Sequence, residues 1–258
     1  MREEEVEAWL RAADAVVVPF DPALGVHEQS ARFTQHAVWD FAATPPDTYP
    51  LLLHYPYFDL YRKQVVKQAD LVLAMHTRGD RFTPEQKAAN FAYYEAITVR
   101  DSSLSALTQA VIAAEVGCLD LAYAYACEAA FLDLHDLARN TRDGLHMASL
   151  AGAWMALVAG FGGMRDHNGM LIFAPRLPPQ ISRLSFTIRH RGHRLRVTTD
   201  GREATYTLFD HDAPITLVHH GTEFTVRSGE PVTAPVPPPP TPPKVTQPAG
   251  REPLLHST

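Results

Sequence analysis

The chain has 258 residues, 46% of them apolar, enough to bury a core in one large domain or two modest ones. A formal charge of −6 and a pI near 6.1, with no long Lys/Arg block, exclude the electrostatic footprint of a nucleic-acid or anionic-membrane binder. The start, Met1-Arg2-Glu3-Glu4-Glu5, is acidic where a signal peptide is basic, and no run of about 18 apolar residues occurs, so the sequence predicts a cytoplasmic protein.

From residue 1 to about 175 the pattern is mostly helical, with long irregular connections. Tyr61 to Met75 repeats apolar residues at helical spacing through Val65, Val66, Ala69, Leu71 and Leu73. Thr83-Pro84-Glu85-Gln86 predicts a helix start with Thr83 as N-cap, Pro84 at the first helical position and Gln86 closing a capping box, and an end near Glu95. The next helix runs from Ala106 to Val116, capped by Ser103 or Ser105 and stopped at Gly117, a residue suited to the left-handed position that ends helices. Alanine-rich helices are expected over Leu119 to Leu137 and His146 to Ala159, their small side chains allowing close helix packing.

Past Pro175 the period changes to two. Five alternating runs between Leu184 and Arg227, most separated by turns at Arg191-Gly192, Asp200-Gly201 and His220-Gly221, predict an antiparallel meander forming one small β-domain over residues 176–230. From Pro231 to Thr258 proline dominates, including Pro237-Pro238-Pro239-Pro240, and a disordered, polyproline-II-like tail is expected. Cys118 and Cys127 read as buried free thiols on different helical turns. The thirteen histidines form no HExxH-like spacing, so no metal site is predicted.

Two short runs carry chemistry: Thr98-Val99-Arg100-Asp101-Ser102-Ser103-Leu104-Ser105 and Asp143-Gly144-Leu145-His146-Met147-Ala148-Ser149-Leu150. Each sets small hydroxyl residues, a glycine or a basic side chain before a long helix, where free N–H groups and the helix dipole favour an anion. Taken alone, the serines are equally N-caps and His146 a capping or solvent histidine.

In order and spacing, Tyr61-Arg62-Lys63-Gln64-Val65-Val66-Lys67-Gln68-Ala69-Asp70, Tyr93-Tyr94-Glu95, Asp101-Ser102-Ser103-Leu104-Ser105, Gly144-Leu145-His146-Met147-Ala148-Ser149-Leu150-Ala151-Gly152, Gly160-Phe161-Gly162-Gly163 and Phe173-Ala174-Pro175-Arg176-Leu177-Pro178 resemble glycoside hydrolase family 65. That family includes maltose, trehalose and kojibiose phosphorylases and related hydrolases. The resemblance implies a mostly α protein with a small β-domain: the last part of an (α/α)6 barrel over residues 1–175, then the family's antiparallel β-domain. It also implies that Lys67 and Gln68 hold the sugar and that Ser102, Ser103, Gly144 and His146 line a phosphate site. Arg100 stands where many relatives carry histidine and keeps a positive donor beside that site.

The implied reaction is inverting phosphorolysis of an α-linked glucose disaccharide to β-glucose 1-phosphate, with inorganic phosphate as co-substrate and no cofactor. Phosphate is already an anionic nucleophile, so hydroxyls, backbone N–H groups and a basic side chain can replace the carboxylate that an inverting hydrolase uses to activate water. Glu95 and Asp101 are read as acceptors that pin a loop. The family's general acid lies in a Gly-Pro-Asp-Glu-Tyr-like segment that does not occur between Met1 and Thr258, so the isolated chain is expected to be inactive. A related α-glucoside hydrolase, a non-catalytic sugar-binding remnant and a chain completing a barrel with an upstream-encoded N-terminal half are the alternatives. The resemblance also leaves room for a homodimer of the intact enzyme.

Overall fold

The computed structural model describes residues 2–209 and 213–253. Helix α1 (Glu3–Ala15) opens the chain with no buried residue. The short pair β1 (Phe20–Asp21) and β2 (Val26–His27) follows, then β3 (Ala37–Val38), helix α2 (Tyr57–Leu60) and β4 (Lys63–Gln64), which runs parallel to β3. Helices α3 (Asp70–Thr77), α4 (Pro84–Glu95), α5 (Ser105–Glu115), α6 (Leu119–Phe131) and α7 (Met147–Met155) complete the helical part, the last continuing as a π-helical segment Ala156–Phe161.

α4 starts and stops where its sequence dictates. The Thr83 hydroxyl accepts from the Gln86 N–H and the Gln86 side chain accepts from the Thr83 N–H, the reciprocal capping box. α5 is the hub, packing on α3, α6, α7 and the π-helical segment. Small residues make this approach close: a Cβ at Gly152 would overlap Leu107, and Gly160 lies over Val111. Met75, Phe91, Tyr94, Ile112 and Tyr125 fill the core between these helices.

Three helical expectations are corrected. Tyr61 to Met75 is not one helix, because Val66 bridges Thr98 in an extended pairing and Gln64 is buried, donating to the carbonyls of Thr34 and His36 and accepting from the Tyr93 hydroxyl. Those tertiary bonds override the apolar period, leaving Lys67-Gln68 in a bend before α3. The helix expected to reach Leu137 ends at Phe131, and a run of turns with left-handed Asp136 and Arg139 follows. Neither Ser103 nor Ser105 caps α5: the Ser105 hydroxyl is buried without a partner, while Ser102 Oγ accepts from the Leu104 N–H.

The β part begins earlier and is larger than expected. Strands β5 (Arg165–His167) and β6 (Met170–Phe173) precede Pro175 and join β10 (Ile215–His219) and β11 (Thr222–Val226) in the order β11-β10-β6-β5, β6 running parallel to β10. The second sheet, in the order β12-β9-β8-β7, consists of β7 (Leu184–His190), β8 (His193–Thr199), β9 (Glu203–Phe209) and β12 (Val232–Pro235), all antiparallel. Phe173, Leu195, Val197, Tyr206, Leu217 and Val226 are buried together between the sheets. The expected single meander is thus two sheets face to face, the parallel strand being one that a period-two pattern after Pro175 could not supply.

The proline-rich tail is not disordered where it is described. After β12 pairs with β9, residues 236–253 run as an extended strap along the helices, with Val245 packed against their core. Proline removes donors but leaves carbonyls and side chains to bind, so a chain that cannot form a core can still be held on one. Residues 254–258 of the expected tail, and Met1, lie outside the described residues. Cys118 is buried and its thiol is pushed up to about 11, first by burial and then by the Glu95 charge; Cys127 is only half-buried. Among the described residues no helix is long and apolar enough to cross a membrane.

Candidate functional site

The extended pairing of Val66 with Thr98 places the bend Lys67-Gln68 beside the loop Val99–Ser103 that leads into α5. The loop before α7 arrives next to it after the turns that follow α6. Together they line a cavity of about 770 Å³ that includes Lys67, Arg100, Asp101, Ser102, Ser103, Glu128, Arg139, His146 and Arg251. Five of the seven sequence-predicted site residues, Lys67, Arg100, Ser102, Ser103 and His146, therefore share one cavity. Gln68 lines a neighbouring cavity with Lys67 and bonds Asp70 at 3.1 Å. Gly144 lines none of the pockets described, and its N–H donates to the Thr141 carbonyl at 3.0 Å. Its backbone, at φ 130° and ψ 170°, is one that essentially only glycine adopts, so it shapes the loop that presents His146.

His146 is held at two points, ring and backbone, by one carboxylate. Its Nδ1 lies 2.6 Å from Asp133 Oδ1 and its N–H donates to Asp133 Oδ2 at 2.8 Å, which puts a proton on Nδ1 and leaves Nε2 for a ligand. The hydrogen bonds from His146 hold the Asp133 carboxyl below its ordinary value.

Arg100 behaves otherwise than its position in the motif suggests. Its Nη1 pairs with Glu128 at 2.6 Å, its Nε donates to the carbonyl of Arg251 at 2.7 Å and its Nη2 to that of Glu252, and its side chain is 5% exposed. It is an anchor for the strap, not a free donor. Asp101 accepts the Leu51 N–H at 2.9 Å and pairs with Arg251 at 2.5 Å; burial pushes its carboxyl up against those contacts. Glu95 lies deeper, accepting from Tyr125, from Gln109 at 2.7 Å and from Gln247 at 2.7 Å, and burial again raises it. Both carboxylates pin structure.

The sequence matches the description "Glycosyl hydrolase family 65 central catalytic domain" over residues 1–155 and "Glycosyl hydrolase family 65, C-terminal domain" over 164–226. The chain belongs to glycosyl hydrolase family 65. Its catalytic-domain match carries the whole cavity except Arg251, and the second match begins with β5, not after Pro175. An uncharacterized glycosyl hydrolase of Mycobacterium leprae is 56% identical over 97% of this chain and 32% of its own length. An α,α-trehalose phosphorylase of Geobacillus stearothermophilus is 41% identical over 89% of the chain and 30% of its own length. A solved structure of a human-microbiome protein, assigned as a kojibiose phosphorylase, superposes with TM-score 0.79 at 27% identity, covering 91% of this chain and 32% of that one. The family 65 chain thus spans about a third of the length of these relatives.

Two lining residues, Glu128 and Arg251, and Asp133 behind His146 escaped the sequence reading. Glu128 and Asp133 sit in and just beyond an alanine-rich helix, where an isolated acid reads as a solvated face. Arg251 lies in a stretch whose proline content signals disorder. The only cue was that the proline run ends in Gln247-Pro248-Ala249-Gly250-Arg251, polar side chains after a segment with nothing else to recognise.

Proposed function

We propose that the cavity is the nucleophile side of an inverting phosphorolysis site in the last part of an (α/α)6 barrel: it holds inorganic phosphate against the anomeric carbon of an α-linked glucose disaccharide, giving β-glucose 1-phosphate. Lys67, with Gln68 behind it, contacts the sugar. Ser102 and Ser103 hold the phosphate near the amino end of α5, the unprotonated Nε2 of His146 accepts from a protonated phosphate oxygen, and the Gly144 loop positions His146. One observation carries this reading. Both carboxylates that line the cavity, Asp101 and Glu128, are tied to arginines, whereas an inverting hydrolase needs a free carboxylate to take a proton from water. With those two engaged, no free carboxyl lines the cavity among the described residues to protonate the leaving oxygen, so on this reading the chain binds ligands without turning them over.

The test has two arms. Phosphorus NMR titration of the purified chain is expected to show saturable phosphate binding that the double variant S102A/S103A abolishes, with no glucose 1-phosphate formed from trehalose, maltose or kojibiose. A single polypeptide joining the upstream two-thirds of the Mycobacterium leprae relative to this chain is expected to release β-glucose 1-phosphate only when phosphate is present. Release of free glucose alone, without phosphate, would make the site a hydrolase. Turnover by the isolated chain would overturn the division of labour.

A second reading, that the chain completes a barrel with further helices, is supported by one face of α7. Met147, Leu150 and Trp154, followed by Leu157, recur at helical spacing and are 70%, 38%, 47% and 39% exposed, an apolar stripe with no cover among the described residues. The two readings are compatible, since a phosphorolytic site needs the same helices for its acid.

A further inference from the structure

We propose that Arg251, delivered by the C-terminal strap, is the arginine that binds phosphate in this cavity, in the role that the family motif suggests for Arg100. The inference rests on the anion-site reading of the cavity.

The strap is fixed along its length before it reaches the site. It starts as β12 on the edge of β9, crosses Gly117 so closely that a Cβ there would strike the Pro240 carbonyl, and puts Val245 against the helical core. Gln247 Nε2 then donates to Glu95 at 2.7 Å and to the Tyr125 hydroxyl at 2.6 Å, and a turn closed by the Arg251 N–H on the Pro248 carbonyl swings Arg251 into the cavity. Proline-rich backbone suits this task because it loses little conformational entropy when laid in an extended path.

At the end of that path the guanidinium is oriented from three directions. Nε donates to the Val99 carbonyl, Nη2 pairs with Asp101 at 2.5 Å, and the guanidinium carbon lies 4.4 Å from the centre of the Tyr49 ring. Nη1 has no protein partner among the described residues, and the side chain is 22% exposed in the same cavity as Ser102, Ser103, Lys67 and His146. Arg100 is the reverse case: its donors are spent on Glu128 and on the strap's own carbonyls. The two arginines have exchanged duties, Arg100 holding the strap and Arg251 offering a pre-set donor edge, the arrangement in which an arginine loses least freedom on binding an oxyanion. Lys67 and Arg139 line the same cavity with no salt bridge among the described residues, Lys67 lying near enough to Asp101 to draw its carboxyl down against burial.

Phosphate titration of the whole 258-residue chain decides the matter. R251Q is expected to bind inorganic phosphate about tenfold more weakly than the unaltered chain and with a shallower dependence on salt, the loss of one charge-assisted contact. R251K, which keeps the charge and loses the fork, should fall between. D101N separates binding from bracing. It removes the charge that pairs with Arg251 but leaves the guanidinium and an amide oxygen for the Leu51 N–H, so it should change stability and affinity independently, keeping most of the affinity. Equal phosphate affinity for R251Q and the unaltered chain would overturn the proposal, as would parallel losses of affinity and stability across R251Q, R251K and D101N, which would make Arg251 a brace only. Absence of phosphate binding by the unaltered chain would instead overturn the anion-site reading, and this inference with it.

Discussion

Two polar cavities in this molecule are built from the same residue types to opposite ends. The first lies between the loop before α5 and the loop before α7. The second, about 430 Å³, lies where the helices meet the β-sheets, lined by Lys87, Glu115, Arg165, His167 and Arg176 among others. In the second, Glu115 sits between two cations, 2.6 Å from Lys87 and 2.6 Å from Arg165, and Arg165 Nη1 also donates to the carbonyls of Ala159 and Met164. Glu115 thus clamps two cations from different elements, and Arg165 ties them to the backbone, which makes the cavity a joint even though Arg165 Nε is buried without a hydrogen-bond partner among the described residues. In the first cavity the carboxylates are paired too, yet Lys67 and Arg139 line it with no salt bridge among the described residues, and Arg251 Nη1 and His146 Nε2 carry no hydrogen bond there. Counting charged residues does not separate the two; the bridging of both neighbouring cations by Glu115, which has no counterpart for Lys67 and Arg139 among the described residues, does.

The joint should respond to mutation as structure. E115A strands two buried cations, each about 10% exposed, and is expected to cost about 3–5 kcal/mol in urea denaturation while leaving phosphate affinity within twofold. The pH profile carries the same signature. Burial opposes ionisation of Glu115, but Arg165 and Lys87 together outweigh it and bring its carboxyl to about 2 from an ordinary 4.5. A carboxyl lowered in the folded state stabilises above its unfolded value, and that stability is lost as pH falls from about 4.5 through about 2. E115Q should flatten this acid limb. Asp101 in the other cavity is raised by burial, so its protonation favours the fold as pH falls toward its unfolded value of 3.8, the opposite sign. A joint variant that lost phosphate binding with its stability would erase the distinction.

A smaller effect is expected where the strap is fastened. Q247A removes two hydrogen bonds, to Glu95 and Tyr125, that lie outside the anion cavity, and should cost about 1–2 kcal/mol in thermal or urea unfolding. Through the strap it should also weaken phosphate binding less than R251Q does. If Q247A and R251Q weakened binding equally, the strap would act as a unit and Arg251 would have no contact of its own.

Much of this was legible in the chain, and the failures have causes. The capping box of α4, the left-handed Gly117 and the β-turns after Pro175 are local devices, and local devices read directly. The bend at Lys67-Gln68 was hidden because Val65 and Val66 fit a helical period as well as an extended one, and only pairing with Thr98 decides between them. Ser102, Ser103 and His146 were legible because their motifs resemble a family's, whereas nothing local announces that Arg100 Nη1 finds Glu128 or that Arg251 arrives from about 150 residues away. Composition separates segments that can form a core from those that cannot; it is silent on segments that dock onto a core formed by others.

The least disruptive test of the comparison falls on Asp133. It touches no ligand in the proposed site; it accepts from both the Nδ1 and the backbone N–H of His146, and so fixes which imidazole edge faces the cavity. In D133N the amide can keep one of those bonds but no longer selects the tautomer with the proton on Nδ1. Lys67, Ser102, Ser103 and Arg251 stay in place, so phosphate affinity should fall only about threefold, the loss of one orientation preference. The melting temperature should move much less than in E115A, since the amide keeps one of the two bonds that the Asp133 side chain, 5% exposed, makes to His146 and no charge is stranded. E115A and D133N thus make opposite predictions for the same two measurements. Stability without affinity changes at the joint, affinity without stability changes at the site, and a D133N chain that melted as early as E115A would mean that the loop before α7 is also a joint.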